Sequence, residues 1–261
     1  MLPLFILTAV LYATASFAHG LEAAAGAGRP IGRRILWVAA LAHLATIGTQ
    51  CLQGAHPFRS IFLVLSAGMW GALVVYLLFA ALRGPVRGVA GMLAPAGLLG
   101  LTLGVVMGPA AEPQAEEFGR LLSVHVGLAT LGLVGFVLAS AVAGLYLGLD
   151  ARLRRRRSMP TRGGQSLQSL ERLQYGLMAF VAPVFALAVV TGVMVLGQGD
   201  PGADFGRRYA ELVAAGVAVV ASLAVLISRF AWGLRGRTAA TFTLVGLAAM
   251  IAIVISYGVR L

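Results

Sequence analysis

Long apolar runs, separated by short polar breaks that carry arginine, set the pattern of the whole chain. Eight runs can be marked, at 2–18, 35–52, 61–82, 89–107, 121–149, 175–196, 212–228 and 239–257. Crossing a bilayer core of about 30 Å takes roughly 20 apolar residues in a helix, and these runs are of that order. The pattern predicts an all-α fold: a polytopic membrane bundle of about eight transmembrane helices, read as one domain over 1–261. The first run ends in ATASFA, which has the form of a cleavage site. It lacks the basic stretch that precedes the apolar core of a signal peptide, so it reads as a retained helix.

The polar breaks predict an orientation. Breaks one, three, five and seven hold Arg29, Arg33, Arg34, Arg83, Arg87, Arg152, Arg154 to Arg157, Arg162, Arg172, Arg229, Arg235 and Arg237, which is fifteen of the twenty arginines. The other breaks and the C-terminus hold only Arg59, Arg120, Arg207, Arg208 and Arg260. Short loops rich in Lys or Arg stay in the cytoplasm, so the odd breaks are expected inside and both termini outside. The longest break, 150–174, contains RLRRRR followed by TRGGQSLQSLERL. It reads as a retention signal that also meets anionic headgroups, at about 1 kcal/mol per basic residue near the surface. Docking of a soluble partner is the other reading. Small residues such as Gly132, Ala139 and Gly144 allow close approach between helices. Pro95 and Pro183 are expected to kink their helices, with neighbours satisfying the freed carbonyls.

Composition supports the membrane reading and narrows the chemistry. Hydrophobic residues make up 59% of the chain and charged ones 11%, with a mean hydropathy of +0.91, too little polar surface to cover a soluble globule. The net charge of +11 comes entirely from arginines placed between apolar runs, which is a topology signal and not a nucleic-acid footprint. The expected partner is the lipid bilayer, with no nucleic acid. Cys51 is the single cysteine, which excludes an internal disulfide and any CxxCH haem-attachment motif.

In so apolar a chain the intramembrane polar residues are the informative ones. His43 lies near the middle of the second run, roughly 12 Å from either end, and Thr46 and Gln50 share its helix face. His125 sits one turn inside the outer end of the fifth run, His56 in the short outer break and His19 at the inner end of the first helix. For His43 two readings stand: an interhelical hydrogen bond, or an axial haem ligand, since neutral imidazole suits iron. His125 is either an interfacial polar residue or a ligand of the same kind, while His19 and His56 read as ordinary polar positions. His43 and His125 should differ in depth by roughly 10 Å. Two separate sites are therefore expected, and not one haem held from opposite faces.

Several segments resemble a known family. HLATIGTQCLQGAHPFRSIFLVLSAGMW (43–70) resembles the membrane-histidine helix, G-x-x-P loop and following helix of the cytochrome c assembly family typified by CcsA and its short relative HemX. LLSVHVGLATLGLVGFVLASAVAGLYLGL (121–149) is similar to that family's outward histidine helix. SLERLQYGLMAFVAPVFALAVVTG (169–192) resembles its next segment down to the terminal Thr-Gly, and WGLRGRTAATFTLVGLA (232–248) its W-x-G turn into the last helix. The resemblance implies an eight-helix protein of the bacterial inner membrane that binds, relays or regulates haem, with His43 and His125 as iron ligands.

The departures matter as much. The full synthases carry a Trp-rich outer loop, whereas the corresponding QGDPGADFGRRYA (198–210) has no Trp. No second outward histidine appears before the final SYGVRL, and the second membrane histidine of the family aligns with Arg229. A guanidinium has no lone pair for iron and is expected at most to pair with a haem propionate. These differences favour the short HemX-like branch and an accessory haem-handling factor with no catalytic residue of its own. The expected partner is a cytochrome c assembly protein or a haem biosynthesis enzyme. A haem–apocytochrome ligase completed by a second subunit, and a haem-free scaffold or small-solute permease, are the alternatives.

Reporter fusions test the orientation. Fusions after Arg87 and Arg157 should report cytoplasm and fusions after Gln114 and Ala203 the outside; a cytoplasmic signal at Gln114 would break the eight-span reading.

Overall fold

The computed structural model describes residues 1–25, 31–56, 60–86, 88–108, 119–155, 166–198, 208–231 and 236–258. Among them are eight helices and no strand: α1 (Leu2–Ala25), α2 (Ile31–Leu52), α3 (Ile61–Arg83), α4 (Val89–Val106), α5 (Arg120–Arg154), α6 (Leu167–Leu196), α7 (Tyr209–Ala231) and α8 (Arg237–Gly258). Each is long and apolar enough to cross a membrane. The chain is thus a polytopic helical membrane bundle. Large apolar side chains such as Phe17, Leu99, Leu187, Val220 and Ile255 point outward, a surface that lipid can cover and water cannot.

α1, α5 and α6 run well past their apolar segments, α1 on to Ala25. α5 is 35 residues long, roughly 50 Å at 1.5 Å per residue, well beyond the hydrocarbon core. Its last turn carries Arg152 and Arg154, which suit the negative end of the helix dipole, and Arg154 Nε meets Asp150 Oδ2 at 3.0 Å one turn back. α6 begins at Leu167, before the apolar run does, because Ser166 caps it: the Ser169 amide donates to Ser166 Oγ at 3.1 Å. α4 and α6 continue through Pro95 and Pro183.

The helices cluster into two compact units of four. In the first, α1 packs on α2 and α4, α3 on α4, and α2 more lightly on α3. Glycines set the closeness of this packing. A Cβ at Gly104 of α4 would lie 2.6 Å from Ser66 Cβ of α3, and one at Gly100 would lie 2.6 Å from Met69 Cγ. In the second unit, α5 packs along α6 and α8, while α7 packs on α8 and α6. Its core gathers Phe136, Ala139, Met178, Val181, Phe185, Ala218, Val225 and Ala249. Phe136 and Phe185 meet edge to face with centroids 5.4 Å apart. Lipid tails are as apolar as leucine, so helix association within the bilayer rests on this kind of fit and on interhelical hydrogen bonds.

A pair of glycines tests that argument. A Cβ at Gly135 would run into the Val181 side chain on α6, whereas one at Gly127, on the same helix, would meet nothing within 4 Å. Gly135→Leu should cost about 1–3 kcal/mol or more through overpacking, and Gly127→Ala should be neutral or stabilising by about 0.5–1 kcal/mol. Unfolding midpoints in detergent check this, and equal effects would refute it.

Candidate functional site

The polar stripe predicted on α2 is buried in the first unit, and each member has a partner on another helix. His43 is 0% exposed. Its Nδ1 lies 2.9 Å from the Tyr12 hydroxyl of α1 and its Nε2 2.9 Å from Ser66 Oγ of α3. A neutral imidazole offers one donor and one acceptor, so in either tautomer one hydroxyl donates to the ring and the other accepts from it. Tyr12 also meets the ring edge to face, with centroids 5.7 Å apart and planes at 89°.

One turn further along, Thr46 Oγ1 lies 3.3 Å from Thr8 Oγ1 of α1. Gln50 Nε2 donates to the Gly104 carbonyl at 3.1 Å. Gly104 is in the last turn of α4, where carbonyls lack an intrahelical donor, so Gln50 caps that helix from the side. Trp70 Nε1 of α3 adds a bond to the Ala40 carbonyl at 2.9 Å. Thr8, Tyr12 and Ser66 did not figure among the candidates read from the sequence. The i, i+4 spacing of Thr8 and Tyr12 on an otherwise apolar helix was the available signal.

His125 is built differently. It lies near the start of α5 in the second unit, half-buried, with Nδ1 2.8 Å from the Ala188 carbonyl of α6. A carbonyl can only accept, so Nδ1 carries the proton, and in the neutral ring the lone pair is on Nε2. Among the described residues nothing is placed on that nitrogen. Thr191 Oγ1 donates to the same carbonyl at 2.9 Å and lies 3.4 Å from Nδ1. The ring rests on Gly192, where a Cβ would fall 2.8 Å from His125 Cε1. The Thr-Gly pair at the end of the third resembling segment is therefore the seat of the imidazole.

The remaining candidates are peripheral. His19 pairs with Glu22 at 3.1 Å, Glu22 accepts from the Gly32 amide at 3.3 Å, and the His19 ring packs over Gly32, tying α1 to the first turn of α2. His56 is exposed in the turn after α2. Arg229 falls in the last turns of α7, and its side chain lies outside the described residues.

The fold and these buried polar contacts define a multi-pass helical membrane protein with one sealed and one presented histidine. Residues 31–261 match the family of cytochrome c assembly proteins, and the chain belongs to that family. It is a membrane protein of cytochrome c biogenesis. No curated protein and no solved structure matches it. The matched segment begins with α2, so α1, which supplies Tyr12 and Thr8 to the internal stripe, lies outside it.

Haem is the group such a family handles, and the two histidines fit it unequally. Ligation to iron needs an imidazole nitrogen with a free lone pair. His125 offers one, and its Nδ1–H to a backbone carbonyl is the support that metal-bound histidines commonly have. His43, with both nitrogens engaged and no exposure, does not fit iron ligation in this arrangement.

Proposed function

We propose that the protein binds haem as cargo during cytochrome c assembly in the bacterial inner membrane, relaying or regulating it, with His125 as the iron ligand. The observation that carries this reading is the seat of His125. Its Nδ1–H is spent on the Ala188 carbonyl, Gly192 leaves room for the ring, and the Nε2 lone pair is left over. Haem bound there would be held through its iron by His125 Nε2, and it would supply the group that cytochrome c assembly delivers. Thr191 and Ala188 fix which nitrogen is basic, and Gly192 fixes where the ring lies. The orientation expected from the arginine split puts this end of α5 at the outer face, where an apocytochrome or an assembly partner would meet it. Arg229, near the opposite end of its helix, would pair with a propionate only of haem lying deep in the membrane, toward the cytoplasmic side, and not of haem held at His125. No residue is assigned a catalytic role; the reading is of an accessory factor.

The sealed state of His43 favours a second reading, a haem-free scaffold of the same fold, because a fully partnered imidazole is what a purely structural role requires. Haem titration of the purified protein separates the two. The parent should bind haem and shift its Soret band, while His125→Ala, still inserted and abundant, should bind at least about tenfold more weakly. Added imidazole should restore part of that binding, and Gly192→Val should mimic the loss by displacing the ring. Binding by His125→Ala equal to the parent would end the His125 assignment, and no haem binding by the parent would leave the scaffold.

A further inference from the structure

A groove of about 220 Å³ runs along the start of α8. Its lining among the described residues is Arg237, Thr238, Thr241, Phe242 and Val245, one stripe of the helix surface at i, i+1, i+4, i+5 and i+8. Two contacts with α5 turn that stripe outward. Gly236, at φ 69°, leads the chain into α8, and a Cβ there would run into the Tyr146 hydroxyl. Further along, a Cβ at Gly246 would lie 2.6 Å from Phe136 Cε1. With α8 held against α5 at both points, Arg237, Thr241 and Val245 are left exposed.

The polarity of the groove changes with depth. Arg237 is the first residue of the last span, and the first turn of α8 has no acidic residue. Its guanidinium has neither an ion-pair nor a hydrogen-bond partner among the described residues. Thr238 stands apart from the other described threonines. Those bond to a carbonyl about one turn back, as Thr241 does to Arg237 at 3.0 Å. Thr238 sits in the first turn with no helical carbonyl behind it, and its hydroxyl has no partner among the described residues. Two unspent donors therefore stand at the mouth, while Phe242 and Val245 line the part deeper along the span.

We infer that this groove holds one anionic phospholipid, its phosphate at Arg237 and Thr238 and an acyl chain along Phe242 and Val245. The order from cation to hydroxyl to apolar wall is the order of a phospholipid from headgroup to chain. A free phosphate would use the mouth and leave the apolar part empty. A zwitterionic headgroup brings a cation of its own, and the first turn of α8 has no acid to receive it. The positive end of the α8 dipole points the same way, and basic pockets at the ends of membrane helices take anionic headgroups. The groove is smaller than the roughly 300–1,000 Å³ that encloses a whole drug-sized ligand. It therefore takes the neck of the lipid, and the remainder stays in the bilayer. The inference is independent of the haem reading and involves neither His43 nor His125.

The test uses the full chain in detergent, with lipid added back and counted by native mass spectrometry. Phosphatidylglycerol should be retained as one equivalent per chain, about fivefold or more tighter than phosphatidylcholine. Arg237→Gln should weaken that binding about fivefold, and Arg237→Gln/Thr238→Val about tenfold or more, with helicity unchanged. Val245→Trp, which fills the apolar part and keeps both donors, should also displace the lipid. Arg172→Gln removes an exposed arginine from the first turns of α6 and should leave the bound equivalent in place. Equal retention of the two lipids, or equal losses from Arg172→Gln and Arg237→Gln, would overturn the site in favour of general surface attraction. Inorganic phosphate bound as tightly as phosphatidylglycerol would overturn the lipid assignment in favour of a free anion. Undiminished phosphatidylglycerol binding by the double variant would overturn the placement at α8.

Discussion

Inside a bilayer no water is available to satisfy a polar group, so a polar group placed there is costly unless the protein partners it, and most here are partnered, with Ser140 Oγ an exception among the described residues. Most features of this structure follow from that constraint. Hydroxyls in the helices bond back to carbonyls one turn earlier, as Thr8 does to Leu4 and Thr130 to Val126. Side chains too long to do so reach to a neighbouring helix. Gln50 takes an orphan carbonyl of α4, Trp70 the mid-helix Ala40 carbonyl of α2, and Gln174 Nε2 of α6 donates to Thr243 Oγ1 of α8 at 2.8 Å. A polar residue in an apolar helix thus specifies which way that helix faces, because only one rotation brings a partner within reach.

Glycine supplies the second half of the argument. A hydrogen bond of 2.9 Å between side chains of different helices needs backbones close enough for short side chains to meet. Ser66 reaches His43 while lying against Gly104, and Tyr12 reaches it while lying on Gly97. A methyl at either glycine would overlap the side chain that lies on it. The same logic operates in the second unit, where Gly192 admits the His125 ring and Gly132 admits Phe185. Small residues here do more than permit close packing: they determine where each imidazole lies.

Much of this was legible in the sequence, though unevenly. The eight spans follow from apolar run length, and the buried stripe of His43, Thr46 and Gln50 follows from helical spacing, since both depend on local pattern alone. Helix ends were less legible. α5 runs on through Asp150 and Arg154 because a helix outside the hydrocarbon no longer needs apolar residues, and α6 starts early because Ser166 caps it. Partners across helices were not legible. Ser66 and Tyr12 are ordinary residues in apolar runs, and their importance depends on how four helices are rotated about one another. The Thr191–Gly192 pair was visible only as part of a resemblance; its physical reason, a carbonyl and a gap shaped for one ring, needed three dimensions.

The two histidines show why residue type at a given depth does not decide chemistry. Both are imidazoles on transmembrane helices, and the resemblance treats both as ligands. What separates them is the acceptor or donor on each nitrogen. A carbonyl on Nδ1 fixes the proton there and leaves Nε2 basic, which is how His125 is held. Hydroxyls on both nitrogens can adapt to either tautomer and leave no lone pair over, which is how His43 is held. The hydroxyl on Nδ1 comes from α1, which stands outside the family segment. The chemistry open to His43 is therefore set in part by a helix that precedes the matched residues 31–261.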